Sequence, residues 1–130
     1  MLELRISDDV LRARAAAREL VRTTGLGVMD QTRFATAVSE LGRNAVRYAQ
    51  HGQCVLSDLS DARHWRLQAQ VSDSGPGIGD LALALQDGYS TGGSLGAGLP
   101  GTRRLVDVFD IRSTKEGTCV TVQIVRSRRP

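Results

Sequence analysis

Glu40 and Asn44 stand one helical turn apart, and Arg47 follows three residues later. In a helix advancing about 100° per residue these three form one stripe, on the flank of a face carrying Phe34, Leu41, Ala45 and Tyr48. A carboxylate and an amide so placed can address one point together. The carboxylate can accept a proton, and the amide oxygen can ligate Mg2+. The same pattern also serves as a solvated helix edge with a Glu–Arg pair. A second carboxylate, Asp73, ends an alternating run and opens the turn Asp73-Ser-Gly-Pro-Gly77. There an aspartate can cap backbone N–H groups. It can equally accept a hydrogen bond from an adenine amino group and so reject bases that lack the donor. Thr118, directly after Gly117, can add a hydroxyl or simply answer strand propensity.

The glycines point to phosphate. Nine of the 14 fall between residues 75 and 101. Within that window Gly96-Ala-Gly98-Leu-Pro-Gly101 reads as G-x-G-x-x-G. A dinucleotide fold would need a strand directly before it and an acidic residue about 20 positions later. The preceding Asp87-Gly-Tyr-Ser-Thr-Gly-Gly-Ser reads as a loop instead. The physics of the motif survives without that fold, because glycines at a helix start let backbone N–H groups approach an anion. No G-x-x-x-x-G-K-[ST] loop occurs, and the single lysine, Lys115, falls in a hairpin turn. The eukaryotic-type kinase residues are missing too. A nucleotide must then be held by backbone amides, a metal ion and arginine.

The elements that would position these residues follow from periodicity. Met1 to Ile6 alternates as an edge strand, and Ser7-Asp8-Asp9 supplies capping chemistry for a helix through Val10, Ala13, Ala17, Leu20 and Val21. A second helix runs from about Asp30 to Gln50, followed by strands at Gln53–Leu59 and His64–Ser72. A short helix at Leu81–Gln86, a helix at Leu99–Val106 and a closing hairpin, Val108–Ser113 and Thr118–Val125, complete the chain. The order βααββααββ is an α+β two-layer sandwich in one domain, residues 1–130, with a mixed, mostly antiparallel sheet and helices on one face.

Composition narrows the function classes. A chain that is 41% hydrophobic and 24% charged is not disordered. The longest apolar run, Leu81–Leu85, is too short to span a membrane, and no signal peptide precedes the first strand, so a cytoplasmic protein is expected. Cys54 and Cys119 form no ligand cluster and read as reduced thiols. The net charge of +3 comes from Arg126, Arg128 and Arg129 in the tail, without which basic and acidic residues balance at 14 each. With that balance and few aromatic residues, no nucleic-acid partner is expected, and the tail reads as a frayed, solvated end.

Taken together, Glu40-Leu-Gly-Arg-Asn44, Asp73-Ser-Gly-Pro-Gly77, Gly96-Ala-Gly98-Leu-Pro-Gly101 and Gly117-Thr118 resemble the four ordered signatures of one ATPase superfamily. It is the superfamily of gyrase, the heat-shock chaperone, histidine kinases and MutL (GHKL). Within it the chain looks like the small bacterial anti-sigma and switch-protein serine/threonine kinases. Asp87-Gly-Tyr-Ser-Thr, Gly98-Leu-Pro-Gly and Arg104-Leu-Val-Asp107 look like the stressosome switch kinase.

The resemblance implies a Bergerat ATP-binding fold with ATP and Mg2+ as cofactors. Glu40 matches the general base and Asn44 the Mg2+ ligand. Asp73 matches the adenine-reading carboxylate, with Gly75 and Gly77 in the turn that lets the base lie close. Gly96, Gly98 and Gly101 match the loop around the triphosphate, Thr118 a second adenine contact, and Asp87–Leu95 a short lid. The lid holds no arginine or lysine; Arg103 or Arg104 could reach the γ-phosphate, and both could equally be surface residues.

The implied activity is phosphorylation of a Ser or Thr on an antagonist or scaffold protein of STAS type in a partner-switching pathway, with a PP2C-type phosphatase or a sigma factor as a further partner. An ATP-binding regulator that acts by binding alone is the alternative, and Glu40 speaks against it. A detached histidine-kinase half would need a dimerising helical hairpin, and neither His51 nor His64 lies on a phosphoacceptor helix.

Overall fold

Strand alternation decides which side of the sheet is covered. The computed structural model describes residues 1–49, 51–74 and 98–128. Chain order is β1 (Leu2–Leu4), α1 (Ser7–Thr23), α2 (Val28–Ala49), β2 (Gly52–Asp58), β3 (His64–Asp73), α3 (Gly98–Leu105), β4 (Val108–Thr114) and β5 (Gly117–Ser127). The expected short helix at Leu81–Gln86 and the lid at Asp87–Leu95 lie outside the described residues. Along β3, Leu67, Ala69 and Val71 are buried while His64 and Gln70 are exposed. On β5, Val120, Val122 and Ile124 are buried in step with them.

The strands lie in the order β1-β2-β3-β5-β4, and every described pairing is antiparallel, in keeping with the mostly antiparallel sheet expected. The connections β2–β3 and β4–β5 are hairpins, which join only antiparallel neighbours. Helices cover one face. On the other, Arg66 Nη1 donates to Gln123 Oε1 at 2.6 Å, Gln123 Nε2 to Gln68 Oε1 at 2.8 Å, and Gln70 Nε2 to Thr121 Oγ1 at 3.2 Å. This polar ladder is what one-sided burial of an antiparallel sheet leaves to water.

The core lies between the layers. Leu4, Val21, Phe34, Val38, Leu67, Val122 and Ile124 are fully buried in one cluster. α1 contributes Val10, Ala13, Ala17 and Val21 at steps of three and four, and α2 contributes Phe34, Val38, Leu41 and Ala45. The cap of α1 comes from the expected run Ser7-Asp8-Asp9, through Asp9. Ile6 occupies the N-cap position, and the Asp9 carboxylate reaches back to accept the N–H of Arg5 at 2.9 Å and of Ile6 at 3.1 Å. Those two backbone hydrogen bonds hold the Asp9 carboxyl below its usual range.

The tail is not frayed as far as residue 128. Arg126 Nη2 meets Asp30 Oδ1 at 2.8 Å and Arg126 Nη1 meets Asp107 Oδ2 at 2.6 Å. The Arg128 guanidinium stacks over Trp65 at 3.8 Å from the ring centroid. Both cysteines are free, and burial pushes the Cys54 thiol up to about 11. No described helix is long and apolar enough to cross a membrane.

Candidate functional site

At one end of the sheet the inward-facing positions become polar. Asp73 continues the buried parity of Leu67, Ala69 and Val71, and Thr118 continues that of Val120, Val122 and Ile124. Register puts Asp73 opposite Thr118 on one side and opposite Gly52 on the other. Thr118 is in turn opposite Ser113, and their hydroxyls lie 2.8 Å apart. An open depression of about 300 Å³ at this end includes Asp73, Gly117 and Thr118 in its lining, but also Ser72, Arg112 and Cys119, which have the outward parity of the sheet. A carboxylate and a hydroxyl on adjacent strands offer an acceptor and a donor–acceptor side by side, the set that the edge of a purine base requires.

Two glycines shape this end. Gly117 has φ +154, and a Cβ there would run into the backbone carbonyl of Asp73. The β4–β5 corner therefore closes on the end of β3 only with glycine at that position. At Gly52 a Cβ would lie 2.9 Å from the Ala45 Cβ, so α2 rests directly on β2 at this point. The opposite end of α2 is tied by Asp30 to Arg126. The helix is thus anchored over both ends of the sheet, and Glu40 and Asn44 are held between.

Glu40 retains only 7% of its exposure, although it lies well off the helix's apolar centre. Its Oε1 accepts from Arg43 Nη1 at 2.8 Å, and Arg43 Nη2 lies 3.4 Å from the hydroxyl of the buried Ser39. A Glu–Arg pair therefore exists, formed with Arg43. Asn44, one turn beyond Glu40, is half-buried. α3 packs against α2, with Leu99 and Thr102 buried. Gly98 is its first residue, Pro100 sits in the first turn, where no N–H is needed, and Gly101 follows. Arg103 and Arg104 are exposed. Gly75, Gly77 and Gly96 lie outside the described residues.

The structure thus pairs Asp73 with Thr118 and puts Glu40 and Asn44 on one helix beside α3. Gly52, Ser113, Gly117 and Arg43 escaped the sequence reading as site residues. The two-residue turn at Lys115-Glu116 would have signalled Ser113, since it pairs Thr114 with Gly117 and Ser113 with Thr118. Among the described residues no group of three His, Cys, Asp or Glu side chains could hold a metal ion by itself. A single amide such as Asn44 suits Mg2+ carried chiefly by the oxygens of a nucleotide, its usual mode.

Comparison with known proteins gives the chain its family. A family model described as the histidine kinase-like ATPase domain matches residues 6–124. The serine/threonine-protein kinase RsbT of Bacillus subtilis (strain 168) is 43% identical over 111 residues, 85% of this chain and 84% of that protein. The crystal structure of the RsbU and RsbW domains of Rv1364c from Mycobacterium tuberculosis superposes with a TM-score of 0.63 at 23% identity. That alignment covers 99% of this chain and 32% of the other, so this chain spans about a third of that larger protein. A mycobacterial sensor histidine kinase, MprB, superposes with a TM-score of 0.57 at 16% identity, covering 92% of this chain and 95% of that one. Sequence and fold lead to one assignment: the chain belongs to the histidine kinase-like ATPase domain family.

Proposed function

We propose that residues 1–130 form one ATP-dependent protein serine/threonine kinase domain, which phosphorylates a Ser or Thr of a STAS-type antagonist protein in a bacterial partner-switching pathway. The observation that carries the reading is Glu40: a carboxylate nine-tenths buried, one turn ahead of a candidate metal ligand, on a helix anchored over the sheet. A module that only bound ATP would have no use for a base there. The naming of a 43% identical relative as a serine/threonine-protein kinase supports the same reading.

In this reading Asp73 and Thr118 hold the adenine, with Gly75 and Gly77 in the adjoining turn, while Gly96, Gly98 and Gly101 surround the triphosphate. Asn44 would hold Mg2+, which would supply charge neutralisation at the phosphates. Glu40 takes the proton of the acceptor hydroxyl as its oxygen attacks the γ-phosphorus in line with the departing ADP. Transfer of this kind depends on positioning and electrostatics rather than covalent chemistry by the protein.

The test is incubation with labelled ATP, Mg2+ and candidate STAS domains, beside Glu40→Ala. Phosphoserine or phosphothreonine on the acceptor is expected, falling by about 100-fold or more in the variant, with ATP binding retained. A wild type that binds ATP and the acceptor yet transfers nothing would sink the kinase reading and leave the binding-only regulator.

A further inference from the structure

Arg43 lies one residue from the candidate metal ligand, yet the reaction as described gives it no part. Two distances define its surroundings. Arg43 Nη1 lies 2.8 Å from Glu40 Oε1, and Nη2 lies 3.4 Å from Ser39 Oγ. The Glu40 side chain is 10% exposed, against 52% for Arg43. The second carboxylate oxygen, Oε2, makes no hydrogen bond among the described residues.

We propose that Arg43 is the positioning residue of the Glu40 base: it bridges Ser39 and Glu40 Oε1, and so leaves Oε2 as the oxygen presented to the acceptor hydroxyl. This rests on the kinase reading and deepens it. A half-exposed ion pair within one helix adds little to folding, so stability alone is a poor reason for the arrangement. Orientation is a better one. A glutamate side chain has three rotatable bonds, and a base displaced by about 1 Å can lose about 100-fold in rate. A carboxylate this largely buried and left unpaired would turn outward to water. Arg43 supplies the partner from the solvent side and clamps one oxygen.

The step then closes atom by atom. The hydroxyl oxygen forms a bond to the γ-phosphorus, and its proton goes to Glu40 Oε2. The bond from the γ-phosphorus to the bridging oxygen breaks, with its electron pair leaving on ADP. Arg43 touches neither substrate nor nucleotide.

The experiment uses the full chain with labelled ATP and the STAS domain that the wild type phosphorylates. It compares Arg43→Met, Arg43→Lys, Ser39→Ala, Glu40→Gln and the Glu40→Gln/Arg43→Met double variant, each checked for folding by circular dichroism. Arg43→Met is expected to lower kcat about 30- to 100-fold, with KM for ATP within twofold of wild type. Arg43→Lys should recover at least tenfold of that loss, because it restores the charge without the fork. Ser39→Ala should show the same kcat-only pattern, but smaller. The double variant should be no slower than Glu40→Gln alone, since the arginine acts only through the glutamate.

Should Arg43→Met fail to fold, Ser39→Ala and Arg43→Lys decide alone, and wild-type kcat in both overturns the proposal. It is overturned as well by an unchanged kcat in Arg43→Met, by a loss confined to KM for ATP, or by losses that add to those of Glu40→Gln. A wild type that phosphorylates no STAS domain fails the kinase reading itself, and the proposal falls with it.

Discussion

The two ends of the sheet use one strand alternation for opposite purposes. At the end where β3 begins and β5 finishes, the inward polar residue is Arg126, and it is closed off by carboxylates. Asp30 of α2 and Asp107 after α3 both bind its guanidinium, and Asp107 also accepts the N–H of Val125 at 2.8 Å. Arg128 adds a stack on Trp65 and donates to the carbonyl of Asp61 at 2.8 Å. At the other end the inward polar residues are Asp73 and Thr118, opposite each other on adjacent strands, with the Ser113 hydroxyl 2.8 Å from that of Thr118. The polar side chains of the first end pair with one another across the fold, whereas those of the second are the ones proposed to meet a ligand. α2 spans both regimes, pinned by a charge at its start and by glycine contact near its end.

The harshest test of the contrast is steric. Gly117→Ala should cost roughly 3 kcal/mol or more, because the new Cβ meets the Asp73 carbonyl and the backbone is held at positive φ. Thermal or urea unfolding would read the loss directly. A cost below about 1 kcal/mol would mean that the β4–β5 corner can shift, and that the open end is less rigidly built than its geometry indicates.

Arg126→Ala should cost about 2 kcal/mol, a value lowered for the partial exposure of the cluster. The affinity of the folded protein for ATP should stay within twofold. Thr118→Val should do the reverse, with stability nearly kept and ATP affinity lowered about three- to tenfold through loss of one hydroxyl. Calorimetric titration beside unfolding curves separates the two. If both variants lost stability and affinity in the same proportion, the division between the ends would be wrong.

The smallest effect concerns acid. Asp61, in the β2–β3 turn at the closed end, accepts the N–H groups of Arg63 and His64, both at 2.8 Å, and these bonds hold its carboxyl below the ordinary value of 3.8. The native state therefore binds fewer protons than the unfolded chain below about pH 4. Asp61 contributes stability above that point and loses the contribution as pH falls through its native pKa. Asp61→Asn should flatten the acid limb of the stability profile and leave neutral pH behaviour nearly unchanged.

Much of this was legible before any coordinates. The period of α2 and the alternation of β3 named the core faces correctly, because burying a stripe or a face needs only local geometry. Ends were less legible. β1 is three residues rather than six, since pairing with β2 stops where the chain turns into α1. Of the expected capping run Ser7-Asp8-Asp9, it is Asp9 that acts, by reaching back to the N–H groups of Arg5 and Ile6, a choice set by how the chain enters the helix. The tail looked like spare charge because Asp30 and Asp107 are distant in sequence from Arg126.

Taken alone, the sequence determined the layer architecture, the ordered signatures and the types of side chain able to read adenine, hold a metal and take a proton. These depend on residue identity and short spacing, which the chain carries locally. Only the tertiary structure decided which of them meet: Asp73 opposite Thr118, Ser113 behind Thr118, Gly117 against the Asp73 carbonyl, Ala45 on Gly52. It also decided that Glu40 is buried and that Arg43 binds it. Register and close approach couple residues dozens of positions apart, and no local pattern specifies them until the sheet has closed and the helices have packed on it.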